Sequence, residues 1–264
     1  MDKWQHYKRK ALAQNFLKDP ALARRLVKIA DIGPIDFVCE IGAGLGIITG
    51  ELARVAKKVV AIEKDPRLAC TLRRRFAKQQ HIEIVTKDFL EYSMPRDVEF
   101  KIFGNIPYNV TASIMRKVID ARPAPSEAFL VMQKEASWKF TGQKGETLFS
   151  LLAKPFFELR TIHRFRRTDF HPVPNVDSVM LAVGHRRHPL LSRDDFPIYR
   201  EFVKYGFGRW RPHLRAAFKN VFTYKQWKHL SRELKFGLNV TPSQLTFEQW
   251  LGLFRGYKRM FVDR

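Results

Sequence analysis

The sequence predicts a right-handed, doubly wound α/β domain followed by a small C-terminal helical domain. Three observations carry that prediction. Between residues 36 and 133, short runs rich in Val and Ile alternate with amphipathic segments. A glycine-rich turn follows the first of these runs, where a strand passes into a helix. Beyond about residue 188 the strand-like runs stop and the remaining patterns read helical.

The elements follow in order. A helix over 20–29 precedes the first strand, and strands are expected over 37–41, 58–63, 82–86, 100–105 and 128–132. Between them lie helices at 47–57, 66–77 and 111–120. Strands of this composition imply a parallel sheet covered on both faces, and chirality then favours the right-handed winding. After residue 134 the pattern changes to one helical stretch over 134–154. Two late strands, 159–166 and 176–184, bracket the loop TDFHPVPN and are placed to close the sheet as an antiparallel hairpin. The polar joint HRRHPLLSRDD leads to helices at 194–205, 211–218, 224–234 and 246–255. The expected division is therefore a domain over 1–187 and a helical domain over 188–264, with the boundary in 185–192. No internal repeat or low-complexity tract occurs.

The 264 residues suffice for a full α/β domain, a small second domain and a sizeable core. Hydrophobic content of 45% suits a globular chain, and no run of eighteen apolar residues predicts a membrane span. The opening MDKWQHYKRKALAQNF lacks the apolar centre of an export signal. Cys39 and Cys70 form neither a disulfide framework nor a zinc site, so a reducing cytoplasm is the expected compartment and no metal is expected. The net charge of +22 is unevenly spread: residues 186–264 carry seventeen Lys and Arg against six acids. Such an excess repels itself unless a polyanion compensates it. The basic residues lie on several short helices and loops rather than on one amphipathic helix, which favours nucleic acid over a membrane surface.

Chemistry is signalled four times, each time just after a predicted strand. The first signal is EIGAGLG at 40–46, with the spacing GxGxG rather than the GxGxxG of dinucleotide enzymes. Alone it reads equally as a tight turn. Glu63 ends the second strand, where an acid either accepts from both hydroxyls of a ribose or faces solvent. Asp88 follows the third strand, where a carboxylate either accepts from an adenine amino group or caps a turn. Ligands of open α/β sheets bind outside the carboxyl ends of the strands, so the three share one crevice. The fourth signal is Asn105-Ile-Pro-Tyr108. The exocyclic amine of adenine is a weak nucleophile because its lone pair is delocalised into the ring. An asparagine carbonyl and the main-chain carbonyl of Ile106 can accept its protons, Pro107 stiffens the turn, and Tyr108 offers a stacking face. As a lone tetrapeptide the segment is also a reasonable turn.

These matches occur in order: GlnAsnPheLeu at 14–17, EIGAGLG at 40–46, Glu63, Asp88, NIPY at 105–108 and FHPVPNVDS at 170–178. With them the chain resembles the erythromycin-resistance (Erm) type of rRNA adenine N6-methyltransferase, and more widely the small-subunit rRNA adenine dimethyltransferases. The resemblance covers nearly the whole chain. It implies a Rossmann-like S-adenosylmethionine methyltransferase domain with S-adenosyl-L-methionine as cofactor. It implies that Asn15, Leu17, Gly42, Glu63, Asp88 and Asn105 line the cofactor site. It implies that Asn105, Tyr108 and Phe170 handle a flipped adenine, Tyr108 and Phe170 holding its ring; taken alone, Phe170 reads as a buried loop anchor. The Ile of NIPY and the tail LTFEQWLGLFRGY at 245–257 resemble the large-subunit, antibiotic-resistance branch. That branch implies a cytoplasmic, monomeric enzyme acting on 23S rRNA before or during subunit assembly and conferring macrolide-lincosamide-streptogramin B resistance. Ala13 stands where many relatives have Ser or Gly before the Gln.

Three other functions compete. A small-subunit rRNA dimethyltransferase shares the wider set of motifs, apart from the Ile of NIPY and the tail at 245–257. A non-catalytic RNA-binding factor on this fold is opposed by the intact Asn105, Tyr108 and Phe170. A nicotinamide dehydrogenase needs GxGxxG and a catalytic Lys, His or Tyr pairing, and this chain shows neither. Other residues carry less. The eight histidines show no metal-ligand spacing, and Trp138, Trp210, Trp227 and Trp250 read as helix packing. The segment KYGFGRWRPHLR at 204–215 reads equally as an RNA contact and as a packed turn.

Overall fold

The computed structural model describes residues 15–208 and 213–262, beginning with a two-residue strand, β1 (Phe16–Leu17). Asp19 then starts α1 (Pro20–Ile29) by accepting from Ala21 N, while Pro20 fills a first-turn position that needs no donor. Strand β2 (Phe37–Ile41) leads through the glycine turn into α2 (Ile47–Leu52). Strand β3 (Lys58–Glu63) leads into α3 (Pro66–Arg75), which Asp65 and Pro66 start by the same device as α1. Next come β4 (Ile82–Thr86), β5 (Lys101–Asn105), α4 (Thr111–Asp120) and β6 (Glu127–Gln133). In β2, β3 and β6 every residue but those at the ends is buried, as expected of strands covered on both faces.

The sheet has the order β4-β3-β2-β5-β6 and then two late strands, β9 (Ser178–His185) and β7 (Phe157–Arg164). β2 pairs in parallel with both β3 and β5, so the chain reverses its direction of growth between β2 and β5. β9 runs antiparallel to β6, with Val131 opposite Met180. Beside this sheet, β1 pairs antiparallel with β8 (Phe170–His171), setting Leu17 opposite Phe170. This small ribbon was not foreseen. Its strands have two residues each, too few to show alternation. One face of the large sheet packs Val38, Val59, Phe103 and Met180 against Leu22, Leu26, Ile48 and Leu52 in a single core.

The chain divides into two compact units. The α/β unit runs up to Ser137 and resumes over Leu159–His185; the helical unit takes Trp138–Glu158 and the chain from Arg186 onward. A single cut at 187 and 188 therefore misassigns 138–158. The predicted helix over 134–154 is also two helices, α5 (Lys134–Thr141) and α6 (Leu148–Ala153). Gly142 and Gly145 break it, with φ of 70° and 118° that only glycine adopts readily. Thr147 then restarts the helix with a capping box to Ser150. The rest of the helical unit comprises α7 (Asp195–Gly208), α8 (Leu214–Ala217), α9 (Tyr224–Glu233) and α10 (Phe247–Phe261). Its core is dominated by aromatic rings: Tyr199, Phe202, Phe218, Trp227, Trp250 and Phe254. Trp210 and the start of the predicted 211–218 helix lie outside the described residues. No helix among the described residues is long and apolar enough to cross a membrane.

Candidate active site

The switch from β2 to β5 brings the predicted site residues to one edge of the sheet. After β2, Gly42, Gly44 and Gly46 all take positive φ, at 66°, 56° and 77°. Gly44 also carries a steric constraint, because a Cβ there would sit 2.6 Å from the Phe16 ring of β1. The turn is held from the next strand. Gly42 N donates to Ile62 O at 2.8 Å, and Gly44 N donates to Glu63 Oε2 at 2.8 Å. Asp65 N donates to the other oxygen, Glu63 Oε1, at 2.9 Å. Glu63 is 1% exposed, so it is not the solvent-facing acid of the bland reading. Each carboxylate oxygen has a second lone pair, which suits it to the two hydroxyls of a ribose.

Beneath the turn, Glu40 is equally buried and accepts from Thr49 Oγ1 at 2.6 Å. Burial pushes its carboxyl up to about 8; the Thr49 hydrogen bond opposes the shift and nearby Glu63 adds to it. Glu40 is thus protonated when folded at neutral pH, and it sits behind the glycine turn.

Asp88 caps a short turn after β4. Its Oδ1 accepts from Leu90 N at 2.9 Å and its Oδ2 accepts from Lys64 Nζ at 2.7 Å. The Lys64 ammonium holds its carboxyl below the usual carboxylate range. Capping and ligand binding are compatible here, since the cap fixes the carboxylate at the strand end. One residue that sequence reasoning missed organises this loop. Lys117 of α4 donates to three main-chain carbonyls, Phe89 O at 2.7 Å, Leu90 O at 2.8 Å and Tyr92 O at 2.6 Å. Desolvation lowers its pKa, as befits an ammonium that spends its donors on backbone. The helix that follows the NIPY segment therefore anchors the loop that follows Asp88. A lone lysine in an amphipathic helix gives no sign of this.

After β5, Ile106 N donates to Val131 O at 3.1 Å, which pins the backbone of the tetrapeptide to β6. Asn105 Nδ2 donates to Asn15 O at 2.6 Å. That bond uses one of the two amide hydrogens and sets the orientation in which Oδ1 is presented. Tyr108 is half-buried and its hydroxyl shares a 2.9 Å hydrogen bond with Ser178 Oγ at the start of β9. NIPY and FHPVPNVDS are thereby joined directly, a link that spacing along the chain does not reveal.

Two residues are placed otherwise than a site lining would suggest. Phe170 is 1% exposed; its ring lies 5.2 Å from that of Phe165 and belongs to the α/β core. In this conformation it is the buried loop anchor, covered by β1, rather than an open stacking face. Leu17, its partner in the ribbon, is 3% exposed and belongs to the same core. Its side chain fastens β1, and β1 in turn delivers the Asn15 carbonyl to Asn105. The cradle as a whole offers a glycine turn, a buried carboxylate for a diol, a fixed carboxylate beside backbone N–H groups, and an amide acceptor. That set fits an adenosine-bearing cofactor.

Comparison with known proteins gives the family and the fold. Residues 5–258 match the family described as ribosomal RNA adenine dimethylase. The chain is 36% identical over 250 residues to an rRNA adenine N-6-methyltransferase of Streptomyces fradiae, covering 94% of this chain and 78% of that protein. It is 34% identical over 256 residues to the ribosomal RNA small subunit methyltransferase A of Thermotoga neapolitana, covering 95% and 92%. Its fold is similar to the crystal structure of the 23S rRNA methyltransferase ErmE, with a TM-score of 0.85 and 31% identity over 92% of this chain and 100% of that one.

Proposed function

From the premise that this chain belongs to the ribosomal RNA adenine dimethylase family, we propose that it methylates N6 of an adenine in 23S rRNA and so confers macrolide-lincosamide-streptogramin B resistance. The chain is an rRNA adenine N6-methyltransferase with the Rossmann-like fold of S-adenosylmethionine-dependent enzymes. The observation that carries the chemical reading is Asn105, whose hydrogen bond to Asn15 O sets the orientation in which its Oδ1 is presented. The 23S assignment is supported by the similarity to a 23S rRNA methyltransferase, with a TM-score of 0.85 and 31% identity. The Thermotoga relative, nearly as similar, supports a second reading as a small-subunit enzyme.

S-adenosylmethionine supplies an electrophilic methyl group. The residues of this chain do the rest. Glu63 accepts from the ribose hydroxyls while its other lone pairs hold Gly44 N and Asp65 N. Asp88, with the loop that Lys117 anchors, receives the adenine end of the cofactor. Gly42 and the main chain of Asn15 and Leu17 complete the wall. The target adenine must leave its stack to reach such a pocket. Asn105 Oδ1 and Ile106 O accept hydrogen bonds from its N6 amine, which lets that nitrogen move toward tetrahedral geometry; the proton it sheds after methylation passes to solvent. Tyr108 stacks on the flipped base and Ser178 fixes the tilt of its ring. Phe170 holds the other face only when the β1–β8 ribbon uncovers it. The helical unit supplies cationic surface for the RNA. The enzyme acts as a cytoplasmic monomer on rRNA before or during subunit assembly.

Primer extension on 23S and 16S rRNA, from cells with and without the protein, tests the assignment. A protein-dependent stop at one adenine of 23S rRNA, together with a raised erythromycin tolerance, is the expected result. Stops confined to 16S rRNA would establish the small-subunit reading instead.

A further inference from the structure

We propose that the helical unit carries its own RNA subsite, a cleft beside α8 and α9 that takes an unpaired nucleotide, with the base on Tyr224 and the phosphate between Arg215 and Lys219. The inference rests on RNA being the substrate, and it places one specific contact outside the α/β unit.

The cleft has a volume of about 300 Å³, at the lower end of the range for small-ligand sites. Its floor is apolar: Phe222 is 4% exposed and Trp227 is 1% exposed. Its rim carries two cations, Arg215 and Lys219, with His213 beside them, and no acidic side chain is among its described lining residues. Neither Arg215 nor Lys219 forms an ion pair with a described residue. His213 Nδ1 accepts from Ala216 N at 3.2 Å, so its ring hydrogen sits on Nε2 as a further donor. The unit as a whole, 138–158 with 186–264, has twenty Lys and Arg against eight acids. An anion is therefore the complementary guest.

Tyr224 selects among anions. It is 57% exposed, an unusual state for a large ring in a unit whose other rings are mostly packed together. The Arg215 guanidinium lies 5.8 Å from its ring centroid, which holds the cation beside the stacking surface. A flat aromatic base next to a phosphate matches that pair, since every base has a π-face and every nucleotide carries the charge. Duplex RNA buries its bases within the stack and cannot use the ring, so the guest is an unpaired nucleotide.

The test uses the full chain and a fluorescein-labelled, mixed-sequence single-stranded RNA decamer, followed by anisotropy. Tyr224→Ala is expected to weaken binding about 5- to 150-fold, the loss of one stacked base, while Tyr224→Phe binds like the parent. The double variant Arg215→Met/Lys219→Met is expected to flatten the dependence of log K on log salt by about 1.4, two single-strand phosphate contacts. Cofactor affinity by calorimetry is expected to stay at the parent value in every variant, which separates a lost contact from a lost fold. Unchanged decamer affinity in Tyr224→Ala, or an unchanged salt slope in the double variant, overturns the subsite. Methyl transfer to a 23S rRNA transcript is measured alongside. If the parent transfers none, the target assignment fails while the binding differences still decide the subsite. If transfer is normal and the differences vanish, the subsite alone fails.

Discussion

At the carboxyl ends of β2, β3 and β5 a few hydrogen bonds orient the site: Glu63 accepts from Gly44 N and Asp65 N, Glu40 accepts from Thr49 Oγ1, Asn105 donates to Asn15 O, and three left-handed glycines make the turn. In the helical unit the packing is redundant: Phe202 alone lies against the rings of Phe218, Phe222, Trp250, Phe254 and Tyr257. The first region spends its few interactions on the direction of polar atoms. The second spends many on cohesion, and what it exposes is mostly charge. The contrast teaches where a substitution should show. At the sheet edge it should appear in function with little loss of stability, and in the helical core it should appear in stability with little change at the cofactor.

The sharpest way to break the comparison is Trp250→Ala. The residue is fully buried and its Nε1 donates to Pro242 O at 3.0 Å. The variant is expected to lose about 3–5 kcal/mol of stability by denaturant titration, with cofactor affinity unchanged under native conditions. A matching loss of cofactor affinity would show that the two regions are not separable. Next in size is Asn105→Ala, expected to slow single-turnover methyl transfer at saturating cofactor by about two orders of magnitude, with an unchanged unfolding midpoint. Transfer at the parent rate would reduce NIPY to a turn. Glu63→Ala follows, with cofactor binding expected to weaken by about 1.5–3 kcal/mol in calorimetry; equal affinity would remove the ribose assignment.

The smallest effect concerns pH. Glu40 keeps its proton when folded up to about 8, whereas an unfolded glutamate has released it far below that. Between those limits the native state binds more protons than the unfolded state, so this residue makes stability fall as pH rises through the window. Glu40→Gln keeps an acceptor for Thr49 and has no proton to lose. Its unfolding midpoint is expected to decline less from about pH 5 to about pH 9 than that of the parent. Parallel profiles would mean that Glu40 is already ionised in the fold.

The sequence made legible whatever depends on local period and on position relative to a strand end. Strands 37–41, 58–63 and 82–86 were bounded to the residue, because short runs rich in Val and Ile between polar turns leave little freedom. Glu63, Asp88 and Asn105 converge because ligand sites of such sheets collect at those ends. What stayed hidden depends on side chains meeting across long separations. Tyr108 meets Ser178 seventy residues on, and Lys117 reaches back to the loop after Asp88. The glycines at 142 and 145 were visible, but not that they hand 138–158 to the helical unit. Phe170 taken alone read as a buried loop anchor, and it is buried; its cover, β1, is a strand too short to be read from the sequence.

That short strand also sets a timetable. Phe16 pairs with His171, so the first described strand has no partner until the chain has grown as far as His171. While the ribosome is still making the sheet, Asn105 has no ribbon-held Asn15 carbonyl to claim an amide hydrogen, and the ring that packs on Gly44 is unfastened. A contact of such long range closes late in folding. An enzyme that modifies ribosomal RNA therefore grows on a ribosome with its own reaction centre still open. Its chemistry begins only after residues 170 and 171 have been delivered.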